Sequence, residues 1–558
     1  MDELSVIIGG KAGYGIDRAS FILAKIIGQL GYFLYIYRDY PSLIRGGHTF
    51  SVIRASREKI AAHKDRADAL IALDQETFDT HKASLRDGAI VIYDADAVKP
   101  DASYSPGESI GLPVTSILKE EKAGEIMRNS CAIGAFCKAF AIDWKLAERI
   151  FRKAFSAETE PNLKVAKRGY DAAKALATME LLGKDKLPLL TGNEALALGL
   201  IRGGIKSYIS YPMTPTSPIL HFMADVADEF GLKVIHPESE IAVILTALGM
   251  AYCGERVAIG TSGGGFCLMT EGLSLSGMAE LPIVIILGQR PGPSTGLPTY
   301  SAQTDLLFAL SAGQGEFTRF IAAPGDPEEA YYLARMALEI SWKYQIPSIL
   351  LSDKTLGEGT YSFNVELSRE PKEQGELFWD RVGMYKRYQD TDTGISPFAF
   401  APDDKAVVKA NSYEHDEYGI TTEDPSITKK MQEKRLRKEE YLKIDLEYSE
   451  CVKTYGDRNA RTALVCWGSN KGVCVEAAET LGLKVIQPLV LLPFPLKQFK
   501  RALEGVTKLI CVENSATSQL AKEISRYGIT ANGSVLKYDG RPFSVEELKE
   551  AVKEKTGI

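Results

Sequence analysis

The chain has 558 residues, 45% of them hydrophobic and 25% charged, with a formal net charge of −7. That length exceeds a single hydrophobic core, so three or four domains are expected, and the mild acidity argues against a nucleic-acid surface. Acids stand where a signal peptide would carry its basic region, and no apolar run is long enough to span a bilayer, so a cytoplasmic protein with no membrane attachment is expected.

The first segment, "LSVIIGGKAGYGIDRASFILAKIIGQLGY", reads as a short apolar strand, a glycine-rich turn (Gly9, Gly10, Gly13, Gly15) and an amphipathic helix. Strands "ALIALD" and "AIVIYDA" come next, which predicts a parallel α/β domain over 1–185. The turn offers free N–H groups and a helix dipole to an anion. Its spacing is only loosely that of a dinucleotide site, and no acidic residue sits convincingly at the end of a second strand about twenty residues on. "RDYPSLIRGGHTFSVIRAS" gathers Arg38, Arg45, His48 and Arg54 around a Gly-Gly turn. Solvated surface charge, an anion site and an inter-subunit contact are all open there.

After the linker-like "GKDKLPLLTGN", a second α/β segment is expected over 186–355. In "YPMTPTSP" three prolines and three hydroxyls come directly after an apolar strand. Pro212 and Pro215 restrict the backbone around Thr214, and Pro218 suits the first turn of the next helix. Thr216 or Ser217 is expected to cap that helix, which leaves Thr214 as the hydroxyl without a structural duty. "HPESEIAVILTALGMAYCG" sets Glu238 and Glu240 before an almost wholly apolar helix. Acids favour helix N-termini in any case. Glu240, one residue from the apolar run, is also placed to enter an interface and exchange a proton with a ring nitrogen.

"TSGGGFCLMTEG" is a glycine turn without the Lys-Ser/Thr pair of a P-loop, so close backbone approach is its expected use. "QRPGPSTGLPT" succeeds the strand "IVIIL", at the carboxyl end where open α/β sheets bind ligands. Arg290 with Thr295 and Thr299 suits a small carboxylate, and a capped turn is the plain alternative. Residues 356–455 read as a loop-rich excursion ending in a charged, exposed helix, and 456–558 resume the α/β rhythm. The eight cysteines form no CxxC pair, so no zinc ribbon or ferredoxin-type cluster is expected, and they read as buried free thiols.

Taken together and in order, "TGNEALALGLIRGG", "YPMTPTSP", "HPESEIA", "TSGGGFCLMTEGLSLSGMAE", "QRPGPSTGLPT", "GEFTRFIAAPGDPEEA", "ANSYEHDEYGITTED" and "VENSATSQLA" resemble the alpha subunit of 2-oxoacid:ferredoxin oxidoreductases. "GGKAGYGIDRASFILAKIIG" and "YPSLIRGGHTFSVIR" resemble the gamma domain fused to alpha in the 2-oxoglutarate type. The resemblance implies a multidomain α/β fold: a gamma-type domain, a pyrimidine-binding domain of thiamine diphosphate enzymes, a linker and a transketolase C-terminal-like domain.

It implies reversible, coenzyme A-dependent oxidative decarboxylation of a 2-oxoacid, 2-oxoglutarate foremost, with pyruvate and branched-chain acids as alternatives. Ferredoxin would take the electrons. Glu240 is similar to the glutamate that hydrogen-bonds the aminopyrimidine ring, with Tyr211 and Pro212 beside it. Thr214, Arg290 and Thr299 resemble substrate-pocket residues, and Arg38, Arg45 and His48 fall to coenzyme A or an interface. No diphosphate-binding motif is found, so a beta subunit is expected to bring Mg2+, the diphosphate half of the thiamine site and an iron-sulfur cluster, in a dimer of alpha-beta heterodimers. The chain departs from the family pattern at Gly264 (for proline), Gln314 (for histidine) and Phe398 (for a basic residue). Two other classes compete: a non-catalytic scaffold of the same fold, and a nicotinamide-linked dehydrogenase using the first glycine turn.

Overall fold

A computed structural model describes residues 2–42, 47–101, 107–155, 158–365 and 375–557. The chain divides into two compact units: residues 1–190 with 358–364 and 543–550, and residues 191–357 with 365–542 and 551–558. Among the described residues no helix is long and apolar enough to cross a membrane.

In the first unit, strands Ser109–Leu112, Leu85–Asp94, Ala67–Ala72, Glu3–Lys11, His48–Ser56, Phe33–Asp39 and Thr360–Ser362 lie side by side in that order. The first four are mutually parallel. His48–Ser56 runs antiparallel to both of its neighbours, so the sheet is mixed where a parallel one was expected. The reason is the connection: the few residues between Asp39 and His48 are too short for a crossover helix and can only bring the chain back antiparallel. Helix Ile16–Gly28 buries its apolar side, Ile22, Leu23, Ile26 and Ile27, on this sheet. Helices Arg128–Ala139 and Thr159–Ala172 touch through glycines: a Cβ on Gly134 would lie 1.9 Å from the Ala166 carbonyl, and one on Gly169 would lie 2.0 Å from that of Cys131.

The second unit holds two sheets. One runs Val490–Leu492, Phe320–Ala322, Pro347–Asp353, Ile283–Gln289, Val257–Ser262, Ser207–Ile209, Lys233–Ile235, all parallel except the first. The other runs Val452–Gly456, Lys484–Pro488, Thr462–Val465, Lys508–Glu513, Gly533–Leu536, with only Val452–Gly456 antiparallel. Strands this fully buried need no polar alternation, and Ile283–Gln289 has none. A single apolar cluster joins both sheets, from Ile259 and Ile285 to Val465 and Trp467.

The charged helix Pro425–Glu447 is not the exposed one that its composition suggests. Met431, Lys434, Arg435, Lys438, Leu442 and Leu446 are buried. The charges are carried inward because they have partners there. Both carboxylate oxygens of Glu280 accept from Lys434 Nζ at 2.8 Å, Lys438 also pairs with Glu280, and Arg387 donates to the Glu280 carbonyl at 2.7 Å. Burial opposes the Glu280 charge, but the three cations hold its carboxyl well below the usual carboxylate range. Burial pushes Lys438 down to about 7. Phe398 belongs to this same core: it is buried, its ring lies 5.0 Å from that of Phe400, and the Arg387 guanidinium sits 5.3 Å above it.

Removing one member of a buried charge cluster strands the others in low dielectric. Glu280→Ala is therefore expected to lower unfolding free energy by about 3–5 kcal/mol, read as a shift in denaturation midpoint. A loss below about 1 kcal/mol, the range of an exposed pair, would contradict this account.

Candidate active site

Three adjacent parallel strands deliver the candidate residues to one edge. Ser207–Ile209 runs into the proline-rich turn, Val257–Ser262 into the glycine turn, and Ile283–Gln289 into Arg290, all at carboxyl ends. This is the edge at which open α/β sheets bind ligands. A cavity of about 730 Å3 opens there, lined by Met213, Gly263, Gly264, Cys267, Arg290, Ser294, Thr295, Thr304, Asp305 and Phe308 together with Thr517 and Gln519.

The proline-rich turn is built differently from its expected form. Thr216 occupies the N-cap of helix Ser217–Asp225 but makes no capping bond, and Pro218 lies in the first turn. Its hydroxyl donates back to the Met213 carbonyl at 3.0 Å and closes the turn on itself. The Thr214–Pro215 peptide is cis. Arg290 Nη1 donates to the Thr214 carbonyl at 3.0 Å, so these two residues meet through the backbone. The Thr214 side chain is half-buried, and its hydroxyl has no hydrogen-bond partner among the described residues.

Glu238 and Glu240, equivalent by composition, are separated by burial: Glu238 is exposed and Glu240 is 6% exposed. Ser239 caps helix Glu240–Tyr252 by accepting from the Ala242 N–H, which makes Glu240 the first helical residue. Its carboxylate lies against Gly265, where a Cβ would come within 2.8 Å of Oε1 and 2.2 Å of the Thr261 hydroxyl. No hydrogen bond within the chain engages this carboxylate among the described residues. Gly263 and Gly264, which line the cavity, immediately precede Gly265.

A buried acid at an apolar helix start, with no donor to it among the described residues, fits the ring nitrogen of an aminopyrimidine. Tyr211 is 37% exposed, with its ring 5.8 Å from that of His236, and Pro212 is exposed beside it.

A family model described as the thiamine diphosphate-binding part of pyruvate flavodoxin/ferredoxin oxidoreductases matches residues 198–433, and one described as pyruvate ferredoxin/flavodoxin oxidoreductase matches residues 5–172. The 2-oxoacid:ferredoxin oxidoreductase subunit alpha of Sulfolobus sp is 32% identical over 99% of this chain and 96% of its own length. The chain belongs to the alpha subunits of the 2-oxoacid:ferredoxin oxidoreductases. Among other alpha-type relatives, the 2-oxoglutarate oxidoreductase subunit KorA of Mycobacterium tuberculosis is 27% identical over 98% of this chain and 91% of the relative. The 2-oxoglutarate:ferredoxin oxidoreductase from Magnetococcus marinus, solved with 2-oxoglutarate, coenzyme A and succinyl-CoA bound, superposes with a TM-score of 0.91 at 27% identity, covering 100% of both chains.

Within this alpha-type chain the structure brings Arg290 and Thr214 together, and sets Glu240 behind the cavity's glycine wall. It brings neither Thr214 nor Thr299 into the cavity lining: Thr214 is half-buried in the adjoining turn, and the Thr299 side chain is buried, with its hydroxyl unpartnered among the described residues. In the first unit, Arg38 is engaged by the Glu358 carbonyl, by Thr360 Oγ1 at 2.9 Å and by Asp17 at 3.1 Å. His48 Nε2 faces His81 Nε2 at 2.8 Å. Arg45 lies outside the described residues. Two cysteines, Cys253 and Cys267, are exposed rather than buried.

Sequence reading missed Asp305 and Met213, both in the cavity wall. "TDLLFAL" resembles an ordinary capped helix start, and Met213 was hidden among the prolines. Burial pushes the Asp305 carboxyl up to about 6, against the pull of Arg290, while burial lowers Arg290.

Gly264 and Gly265 offer a paired test of this packing. The nearest atom to a Cβ on Gly264 is 3.9 Å away. Gly265→Ala is expected to cost about 1–3 kcal/mol by overpacking, while Gly264→Ala is neutral or slightly stabilising. Equal effects of the two in thermal denaturation would refute the packing of Glu240 on Gly265.

Proposed function

We propose that this alpha subunit, with a beta subunit, catalyses the thiamine diphosphate- and coenzyme A-dependent, reversible oxidative decarboxylation of a 2-oxoacid, with 2-oxoglutarate first among candidates and ferredoxin as the electron acceptor. The observation that carries this reading is Glu240: a buried carboxylate without a partner in its own chain among the described residues, behind a cavity at the carboxyl edge of the sheet. Thiamine diphosphate, when bound, supplies the carbanion-stabilising chemistry that protein side chains lack. Glu240 holds the aminopyrimidine ring through its carboxylate and takes part in moving its proton, with Tyr211 and Pro212 flanking the ring.

Arg290 receives the substrate carboxylate at the cavity, with the Thr214 hydroxyl in the adjoining turn as its second contact, and Thr299 has least support because it lies outside the cavity lining. A partly enclosed cavity strengthens that ion pair relative to open water. The coenzyme A or interface role considered for Arg38, Arg45 and His48 has least support at Arg38, whose guanidinium is engaged inside its own unit.

Among the described residues no three potential metal ligands are gathered, and the reading assigns Mg2+ and the iron-sulfur cluster to the beta subunit. Helix Glu240–Tyr252 supports a partner on this side: Ile241 and Leu245, one turn apart, are 47% and 45% exposed, and Leu268 on the next helix is 50% exposed. Large apolar side chains lined up beside a ligand site mark an interface.

The experiment is to purify the complex with its beta subunit and assay 2-oxoglutarate, pyruvate and branched-chain 2-oxoacids with coenzyme A and a viologen acceptor. Glu240→Gln is expected to lower kcat by about 10²–10⁴-fold with assembly intact; unchanged turnover would return the chain to the scaffold class. Thr214→Ala is expected to raise the KM for the 2-oxoacid several-fold with little change in kcat. Leu245→Glu is expected to abolish copurification of the beta subunit, and normal recovery of the complex would remove the proposed interface.

A further inference from the structure

Asp305 is the charged group of the cavity to which the proposed function gives no task. It stands at the N-cap of helix Leu306–Ser311, where an aspartate ordinarily accepts an N–H of the adjoining helix. Asp74, Asp143, Asp326 and Asp424 each do so at their own helices, and Asp305 does not.

Its carboxylate is turned toward the glycine helix instead: a Cβ on Gly263 would lie 2.8 Å from Oδ2. Oδ2 is shielded from solvent and has no hydrogen-bond partner among the described residues. The backbone beneath it is fixed. The Asp305 N–H donates to Gln289 Oε1 at 3.1 Å, and its carbonyl accepts from the Ala309 N–H at 2.8 Å. The side chain is thus held in place and uncommitted.

The surroundings are sparing in charge. From the strand end comes Arg290, from the glycine helix the Cys267 thiol, from its own helix Phe308, and from the facing loop Thr517 and Gln519. Arg290 is the one cation and Asp305 the one carboxylate among the lining residues, and no ion pair joins them directly among the described residues. The wall is neutral with Asp305 ionised and singly positive with Asp305 protonated.

We infer that Asp305 is a proton-linked positioning residue: it takes up one proton from solvent when a 2-oxoacid carboxylate pairs with Arg290, and it then donates an O–H to that carboxylate from Oδ1, the oxygen that is not shielded. This rests on the reading of Arg290 as the substrate-carboxylate partner. Desolvation already places the Asp305 titration at about 6, with Arg290 pulling it down. An anion on Arg290 cancels that pull and adds repulsion of its own, so the titration moves upward in the bound state. Above its titration point the empty site is mostly ionised, and the filled site keeps its proton to a higher pH. Affinity therefore falls as pH rises between the two titration points, by up to about tenfold per pH unit.

The test is titration calorimetry of 2-oxoglutarate into the assembled complex at pH 7, in two buffers of different ionisation enthalpy. Close to one proton taken up per molecule bound is expected for the wild type and close to none for Asp305→Asn, whose affinity also loses its decline from pH 7 to 8. Asp305→Glu restores the uptake. Binding without proton uptake in the wild type, or equal uptake in Asp305→Asn, overturns the inference alone. Absence of any 2-oxoglutarate binding removes the substrate reading and this inference with it. Should Asp305→Asn fail to assemble, the two-buffer comparison on the wild type decides by itself.

Discussion

Gly265 and Gly272 lie two turns apart on one side of the helix Gly263–Ala279, and the helix Glu240–Tyr252 packs directly onto both. A Cβ at either position would collide, at 2.8 Å with Glu240 and at 2.6 Å with Ile244. This close approach is the constraint that organises the candidate site. It draws Glu240 out of water, brings the glycine turn to the cavity wall, and turns Ile241 and Leu245 away from the core. Glycine in a helix interior costs about 1 kcal/mol relative to alanine, so each such position is a local weakness that only the contact it permits can offset.

Arg290 serves two purposes through one side chain. It fastens the proline-rich turn by its bond to the Thr214 carbonyl, and it supplies the cavity's positive charge. The turn and the cation are therefore positioned relative to each other by a bond from the Arg290 side chain to the backbone of the turn, which leaves the Thr214 hydroxyl out of it. Thr216 contributes by closing the turn on the Met213 carbonyl, which leaves the next helix uncapped by a side chain. Local helix stability is given up where the geometry of a binding edge is gained.

Much of this was legible from residues alone, and the failures have physical causes. The α/β alternation, the strand ends and the glycine turns arise from short-range periodicity and turn chemistry. Glu240 was distinguishable as a candidate because an apolar helix begins right after it, but only packing on Gly265 separates it from Glu238. The helix Pro425–Glu447 looked solvated because its partner Glu280 lies about 150 residues away in sequence, and a pattern rule cannot see a charge that will be paired at that range. Asp305 failed for the opposite reason: its local sequence is a good helix start, so nothing flagged that its carboxylate turns elsewhere. Arg38 stayed open between solvated charge, an anion site and an inter-subunit contact because its acceptors, Glu358 and Thr360, belong to a segment contributed from far along the chain.

The buried cluster of Glu280, Lys434, Lys438 and Arg387 also bears on how this protein responds to heat. Charged groups lose favourable hydration free energy as temperature rises, so the cost of keeping four of them dry shrinks while the attraction of Glu280 for the cations persists. Hydrophobic contacts elsewhere in the second unit gain nothing comparable over the same range. The cluster is a modest contributor when cold and a growing one when hot, so the helix Pro425–Glu447 is held more firmly, relative to its surroundings, as unfolding temperature is approached.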